Sequence, residues 1–223
     1  MHKTTLNAVR CGFLSLAIPV ILLGCSGPGA EAPEAVASAP VAMKIPVVPS
    51  DDAQSVSIFI LTDETAIGFE GAKVIGTHVG GFGVFTGTVT VPETGIEGAR
   101  IDLTIDLAST YSDDTELTRV LKGEKFFDVE TFPTSTFQST RIRKTETGYE
   151  VTGNFDLHGV TKSITFPATI EISDDTLTAE AEFLINRFDF NITYPGLADD
   201  LIRKKVLVFF DLEAIRQTPE SVE

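Results

Sequence analysis

From about residue 51 to residue 216, apolar and polar side chains alternate mainly with a period of two. That is the signature of strands with one buried face. The cleanest case runs from Gly98 to Ser109, where Ile101, Leu103, Ile105 and Leu107 alternate with Arg100, Asp102, Thr104 and Asp106. Tyr149, Val151, Gly153, Phe155 and Leu157 repeat the pattern, and His158-Gly159 predicts a tight turn into a return strand carrying Ile164, Phe166, Ala168, Ile170 and Ile172. Leu177, Ala179, Ala181, Phe183 and Ile185 make a further strand, and Val206, Val208, Phe210 and Leu212 the last. Near the start, Val56, Ile58 and Ile60 alternate while Phe59 and Leu61 fill the opposite face, which predicts a strand covered on both sides. Six glycines between Glu70 and Val91 predict bulges or bends, such as barrel closure requires. One helical signal breaks the series: Asp113 or Asp114 as cap, Leu117, Val120 and Leu121 on one face, and Gly123 as stop. About eight strands with short polar turns predict a sandwich or a barrel.

The connection after that helix is unusual. Lys122 to Thr140 carries Phe126, Phe127, Phe132 and Phe137, although connections are normally polar. The chain has sixteen phenylalanines and no tryptophan, so its aromatic area needs few hydrogen-bond partners and suits a dry core or an apolar cavity.

The first residues follow a different rule. A short basic stretch with Lys3 and Arg10 precedes an apolar run from Cys11 to Leu23, about the length of a signal peptide's core. It ends in Leu22-Leu23-Gly24-Cys25, which resembles a bacterial lipobox. Residues 1–24 are therefore expected to be a lipoprotein signal peptide, with Cys25 acylated. Ser26 after the cysteine implies the periplasmic face of the outer membrane. Residues 25–52 are rich in Ala, Pro and Gly without periodicity and predict a disordered tether. The barrel domain then spans 53–216, with a tail at 217–223. The mature domain would hold no thiol, since Cys11 and Cys25 are the chain's two cysteines.

Charge and motifs narrow the function. The formal charge is −15, and loss of Lys3 and Arg10 with the signal makes it −17. Such a field argues against nucleic acid and against electrostatic docking on anionic lipid. There is no G-x-S-x-G element, no phosphate-binding loop and no clustered metal-ligand spacing. His78, flanked by glycines, is the better placed of the two histidines beyond the signal; His158 is read as a turn residue. Arg187 and Asp189, set between aromatic rings, are read as a salt bridge at the rim, with contact to a ligand head group as the alternative. Ser109-Thr110 is read as capping a loop.

Four segments occur in order: S-T-x-x-x-D-D with L-x-x-x-L-K-G; F-F-D-V-E-T-F-P-T-S-T-F-Q-S-T; Y-E-V-T-G-N-F-D-L-H-G-V-T-K-S-I-T-F; and I-N-R-F-D-F-N-I. From about Val56 to Ala214 the chain resembles the YceI-like family of polyisoprenoid- or lipid-binding periplasmic proteins. The resemblance implies an all-β fold, an extended antiparallel lipocalin-like barrel of about eight strands with one short helix, enclosing a long apolar tunnel. It implies no catalysis, metal or cofactor beyond a bound isoprenoid or fatty acyl ligand. Its partners would be that ligand and the membrane, through acylated Cys25, with a second copy of the chain as a further candidate.

Strand faces and the aromatic connection give the candidate cavity residues. From the first strands come Phe69, His78, Phe82 and Phe85, and from the alternating strand Ile101, Leu103, Ile105 and Leu107. The aromatic connection supplies Phe126, Phe127 and Phe132 at the mouth and Phe137 on the wall. Phe155, Phe183, Phe188 and Phe190 complete the set. Two other readings stay open on residues alone: a structural or adhesive β-domain with a solid core, and a small hydrolase or isomerase built on His78.

Overall fold

The computed structural model describes residues 32–42, 56–74, 76–198 and 200–217. The signal segment, Cys25, the remaining spacer residues and the tail beyond Gln217 lie outside the described residues. In chain order the elements are β1 (Val36–Ser38), β2 (Val56–Leu61), β3 (Ala66–Ala72), β4 (Thr77–Phe82), β5 (Phe85–Pro92), β6 (Arg100–Asp106), β7 (Thr110–Ser112), α1 (Thr115–Lys122), β8 (Thr134–Lys144), β9 (Tyr149–Leu157), β10 (Val160–Ile172), β11 (Thr176–Asn186), β12 (Gly196–Leu197), β13 (Asp200–Leu201) and β14 (Lys205–Arg216).

Three of the wall strands are bent. β2 continues into β3, β4 into β5, and β6 into β7 through a 3-10 turn at Leu107–Ser109. In each pair the two segments meet the same neighbouring strand: β2 pairs β5 while β3 pairs β4, and β5 pairs β6 while β4 pairs β7. The chain then runs as a meander through β8, β9, β10, β11 and β14, and β14 returns to both β2 and β3. The result is a closed eight-stranded antiparallel barrel with one helix. Closure removes the free edges that an open sheet would present.

Local chemistry explains the breaks. Asp114 caps α1 by accepting from the Leu117 amide at 2.8 Å, so Asp113 is left for another role. His158 and Gly159 both have positive φ, 53° and 70°, as a two-residue hairpin turn between β9 and β10 requires. Thr110 Oγ1 donates to the Leu107 carbonyl at 2.7 Å, and Ser109 Oγ donates to Asp106 and accepts from the Val84 amide, so this pair caps the bend in the bent strand.

The structure differs from expectation in two places. In β2 the inward residue is Phe59, fully buried, whereas Val56, Ile58 and Ile60 are exposed. The strand is covered on one side only; its outward β-branched residues satisfy strand preference without being core.

The second difference lies at 32–42, inside the segment read as a disordered tether. Strands β10 and β11 pair only over Thr169–Ile172 and Leu177–Glu180, then part. Pro167 sits at the parting, and a proline contributes no N–H to a ladder. The chain's own residues 33–38 fill the gap. Val36, Ala37 and Ser38 pair antiparallel with Thr165, Ile164 and Ser163 of β10. On the other side the Ala35 amide donates to the Leu184 carbonyl, and the Leu184 amide to the Pro33 carbonyl, both at 2.9 Å. Ala35 is buried in the core, Glu34 pairs with Lys205 at 2.5 Å, and the Asn154 amide clasps Val41 through two hydrogen bonds of 2.9 and 2.8 Å. The segment shows no periodicity because its backbone, more than a face of side chains, makes the contacts.

Two net hydrogen bonds are worth about 1–2 kcal/mol together when partly solvated. We therefore expect Asn154→Ala to lower the urea midpoint by that stability and to speed hydrogen exchange at the Val41 amide. Unchanged exchange at Val41 would show that the clasp does not hold in solution.

Candidate functional site

The bent strands and the helix leave the barrel interior unfilled. A cavity of about 200 Å³ runs inside it, walled by β3, β4, β6, β8, β9, β10, β11 and β14. Glycine positions shape it. The Phe137 ring lies over Gly153, where an added Cβ would come within 2.3 Å of the ring, and the Phe69 ring lies over Gly80 in the same way, at 2.5 Å. Around these, Phe166 stacks on Phe183 with centroids 4.2 Å apart, and Phe210 meets Phe166 edge-on at 5.9 Å.

One end carries the helix. There Phe127, from the aromatic connection, contacts Phe69 and Phe82, each at 5.9 Å, and Phe69 meets Phe82 at 5.6 Å. This triangle of rings closes the cavity under α1. Phe126 packs edge-on against Tyr194 at 5.7 Å, and Lys125 lies over the Tyr194 ring.

The polar lining is sparse: Lys73, His78, Ser135 and Arg187 among otherwise apolar residues. His78 Nδ1 donates to Asp113 Oδ1 at 2.9 Å, and Asp113 also accepts from the Val79 amide at 3.3 Å. The hydrogen bond from His78 holds the Asp113 carboxyl below its ordinary value. The pair ties β4 to the turn before α1. Among the described residues no serine, threonine or cysteine side chain is hydrogen-bonded to the ring. Ser135 Oγ donates to the Asp156 carbonyl at 2.6 Å.

Arg187 does not form the expected rim salt bridge. It is 4% exposed, and its guanidinium donates to three carbonyls: Arg203 at 3.0 Å, Ile192 at 2.6 Å and Ile202 at 3.2 Å. Among the described residues no carboxylate pairs with it. Burial lowers its pKa. Asp189 lies near Asn186 instead. The arginine holds the connection between β11 and β14 against the barrel end, because an unbonded buried cation would be far costlier.

A model of the YceI-like domain matches residues 60–214. The chain belongs to the YceI-like family. Its curated relatives include Protein YceI of Salmonella arizonae and of Salmonella newport, each 34% identical over 120 residues. Each match covers 51% of this chain and 63% of the relative's length. Among solved structures, BcnA of Burkholderia cenocepacia superposes with a TM-score of 0.62 at 24% identity, over 67% of this chain and 96% of that one. A polyisoprenoid binding domain from Saccharophagus degradans, implicated in plant cell wall breakdown, gives 0.58 at 18% identity, over 73% and 100%. At these identities the structural likenesses show the fold.

Within this YceI-like barrel, the residues expected at the cavity separate into two groups. Phe69, His78, Phe82, Ile101, Leu103, Ile105, Leu107, Phe126, Phe127, Phe137, Phe155 and Phe183 line it. Phe85, Phe132, Phe188 and Phe190 do not. Phe132 lies over the His158-Gly159 turn, its ring 4.7 Å from that of His158. Phe188 is covered by Arg187 and Lys204. Phe190 is fully buried against Phe155 and plugs the core, and Phe85 is half-buried on the core's edge. Expectation missed Phe166 and Phe210 among the lining residues, and gave Arg187 a place there only as the alternative to a rim salt bridge. The two phenylalanines sat in plain alternating strands and could have been found by period alone.

Two outcomes follow for the family's interior in this chain. Gly153→Val should push the Phe137 ring into the cavity and cost about 1–3 kcal/mol by overpacking, read from the denaturation midpoint. The depressed Asp113 pKa adds stability that is fully present above its ordinary value of 3.8 and is lost as pH falls through the lowered value. Side-chain NMR should find the Asp113 titration below the ordinary range, and back within it in His78→Ala.

Proposed function

We propose that this protein binds a long apolar ligand inside the barrel and holds it at the cell envelope. The ligand would be an isoprenoid quinone, a polyisoprenoid or a fatty acyl derivative. The single observation behind this reading is the apolar cavity, closed at the helix end by Phe69, Phe82 and Phe127. Binding an apolar chain there gains roughly 0.8 kcal/mol for each methylene removed from water, less the loss of chain and translational freedom. The binding named for the Saccharophagus domain supports the same class of ligand. A dyad of His78 and Asp113 without a bonded nucleophile gives hydrolysis no comparable support.

The envelope part of the reading rests on the lipobox-like Leu22-Leu23-Gly24-Cys25. Acylated Cys25 would anchor the chain to the outer membrane on its periplasmic face, with more than one acyl chain for stable retention. The barrel would then be a reservoir or carrier beside the bilayer from which its ligand comes.

Native mass spectrometry of detergent-free protein from a bacterial envelope should show a co-purifying apolar molecule. Phe127→Asp should weaken retention about tenfold or more, equivalent to about 1.4 kcal/mol, while the barrel stays folded by circular dichroism. A ligand-free protein that also ignores added isoprenoid quinone and fatty acids would overturn the reading. Labelled palmitate should enter the wild-type chain and not Cys25→Ser; equal labelling would remove the anchor.

A further inference from the structure

The cavity has a polar end and an apolar end, and its polar end is basic. The up-and-down strand order sets the two ends. Lys73 follows the end of β3, His78 lies near the start of β4, Ser135 near the start of β8, and Arg187 just after β11. In the antiparallel meander these positions share one end of the barrel, the end that carries α1 and Phe127. The opposite end, where β9 and β14 respectively begin and finish, is lined by Val151, Ile170, Ala179 and Leu212, all apolar.

The composition makes this asymmetry informative. The chain has 32 acidic residues against 17 basic ones, yet among the described residues no aspartate or glutamate lines the cavity, whereas Lys73, Arg187 and His78, the last hydrogen-bonded to Asp113 outside the lining, do. Arg187 is the decisive group. It is buried, its partners are carbonyl oxygens, and three of its five N–H groups serve those three hydrogen bonds. Carbonyl dipoles satisfy its donors but do not cancel its charge. A buried charge is costly until a counter-charge arrives. The overall negative field does not forbid an anion there, because exposed charges more than about 8–10 Å away are screened by salt while those in the pocket are not.

We propose that the ligand is an amphiphile with a single apolar chain and an oxyanion head, a carboxylate or a phosphate. Its head would lie at the Arg187 end under α1, with its tail toward Val151 and Ala179. This rests on the proposed binding of an apolar chain and adds the chemistry and direction of its head. A guanidinium donates to either oxyanion in a charge-assisted hydrogen bond, so the two heads share one recognition chemistry. A neutral head of equal chain length would leave the arginine uncompensated.

The test compares three probes of one chain length by calorimetry below their micellar concentrations: palmitate, hexadecyl phosphate and hexadecanol. The expected result is that at least one of the two anions binds about tenfold or more tighter than hexadecanol; which one does identifies the head. A preference below about tenfold for both overturns the proposal while leaving apolar binding intact. Failure of all three to bind overturns the proposal together with the reading beneath it. Arg187→Gln, checked for folding by circular dichroism, should bring the ratio of anion to hexadecanol affinity to about that of a neutral site, whatever the change in hexadecanol binding itself. If that variant does not fold, the comparison in the wild-type protein stands alone and decides the matter.

Discussion

Everything in this molecule depends on closing one sheet upon itself. A barrel with a hollow interior is stable only if its wall has no unpaired backbone, since each buried N–H or C=O left without a partner costs free energy comparable to a lost hydrogen bond. Seven of the eight junctions between wall strands meet this demand with the chain's main meander. The junction between β10 and β11 does not, because the strands part beyond Thr169 and Glu180. Residues 33–38 supply the missing ladder, satisfying Thr165 and its neighbours on one side and Leu184 on the other. The seam also explains why Phe166 and Phe183 can stack at 4.2 Å: they face each other across a wall whose backbones are held apart by a third strand.

Closure then makes the interior dry enough for its few polar groups to matter. In a solvated cleft Arg187 would be one more surface cation. Sealed at 4% exposure, it has to be met by carbonyls from 192, 202 and 203, and in meeting them it fixes the connection that covers its end of the barrel. The same end is secured by His78 and Asp113, which join β4 to the helix approach. Wall, lid and polar end are thus one construction, with the phenylalanine triangle filling what the hydrogen bonds frame.

How much of this was legible in the sequence follows from what kind of contact each part makes. Strand positions such as Ile101 through Leu107 announced themselves, because burial on one face imposes a period that survives in the residue types. The helix was equally clear from Asp114, Leu117 and Gly123. Phe132 was not placed correctly, since a ring in a connection can turn inward or lie over a neighbouring turn, and only the presence of His158-Gly159 beneath it decides. Arg187 beside Asp189 suggested a salt bridge by adjacency, but a 3-10 turn sends the two side chains to different partners. Residues 32–42 were illegible for a deeper reason: backbone pairing to a seam needs no particular side chains, and Pro167, the one visible mark of the parting, lies more than a hundred residues away.

The two ends of the cavity place different demands on the sequence. At the far end Val151, Ala179 and Leu212 need only be apolar and of suitable size, so substitution there trades volume against packing. At the helix end the chain commits a buried cation, a histidine–carboxylate pair and four aromatic rings, each held by a specific neighbour. A barrel that served only as a rigid wall would gain nothing from such asymmetry, and filling the interior would stabilise it more. An interior left open, apolar along its length and basic at one end instead fits the shape and polarity of a chain with a head. On the proposed binding, the cost of leaving it open would be recovered when that chain enters.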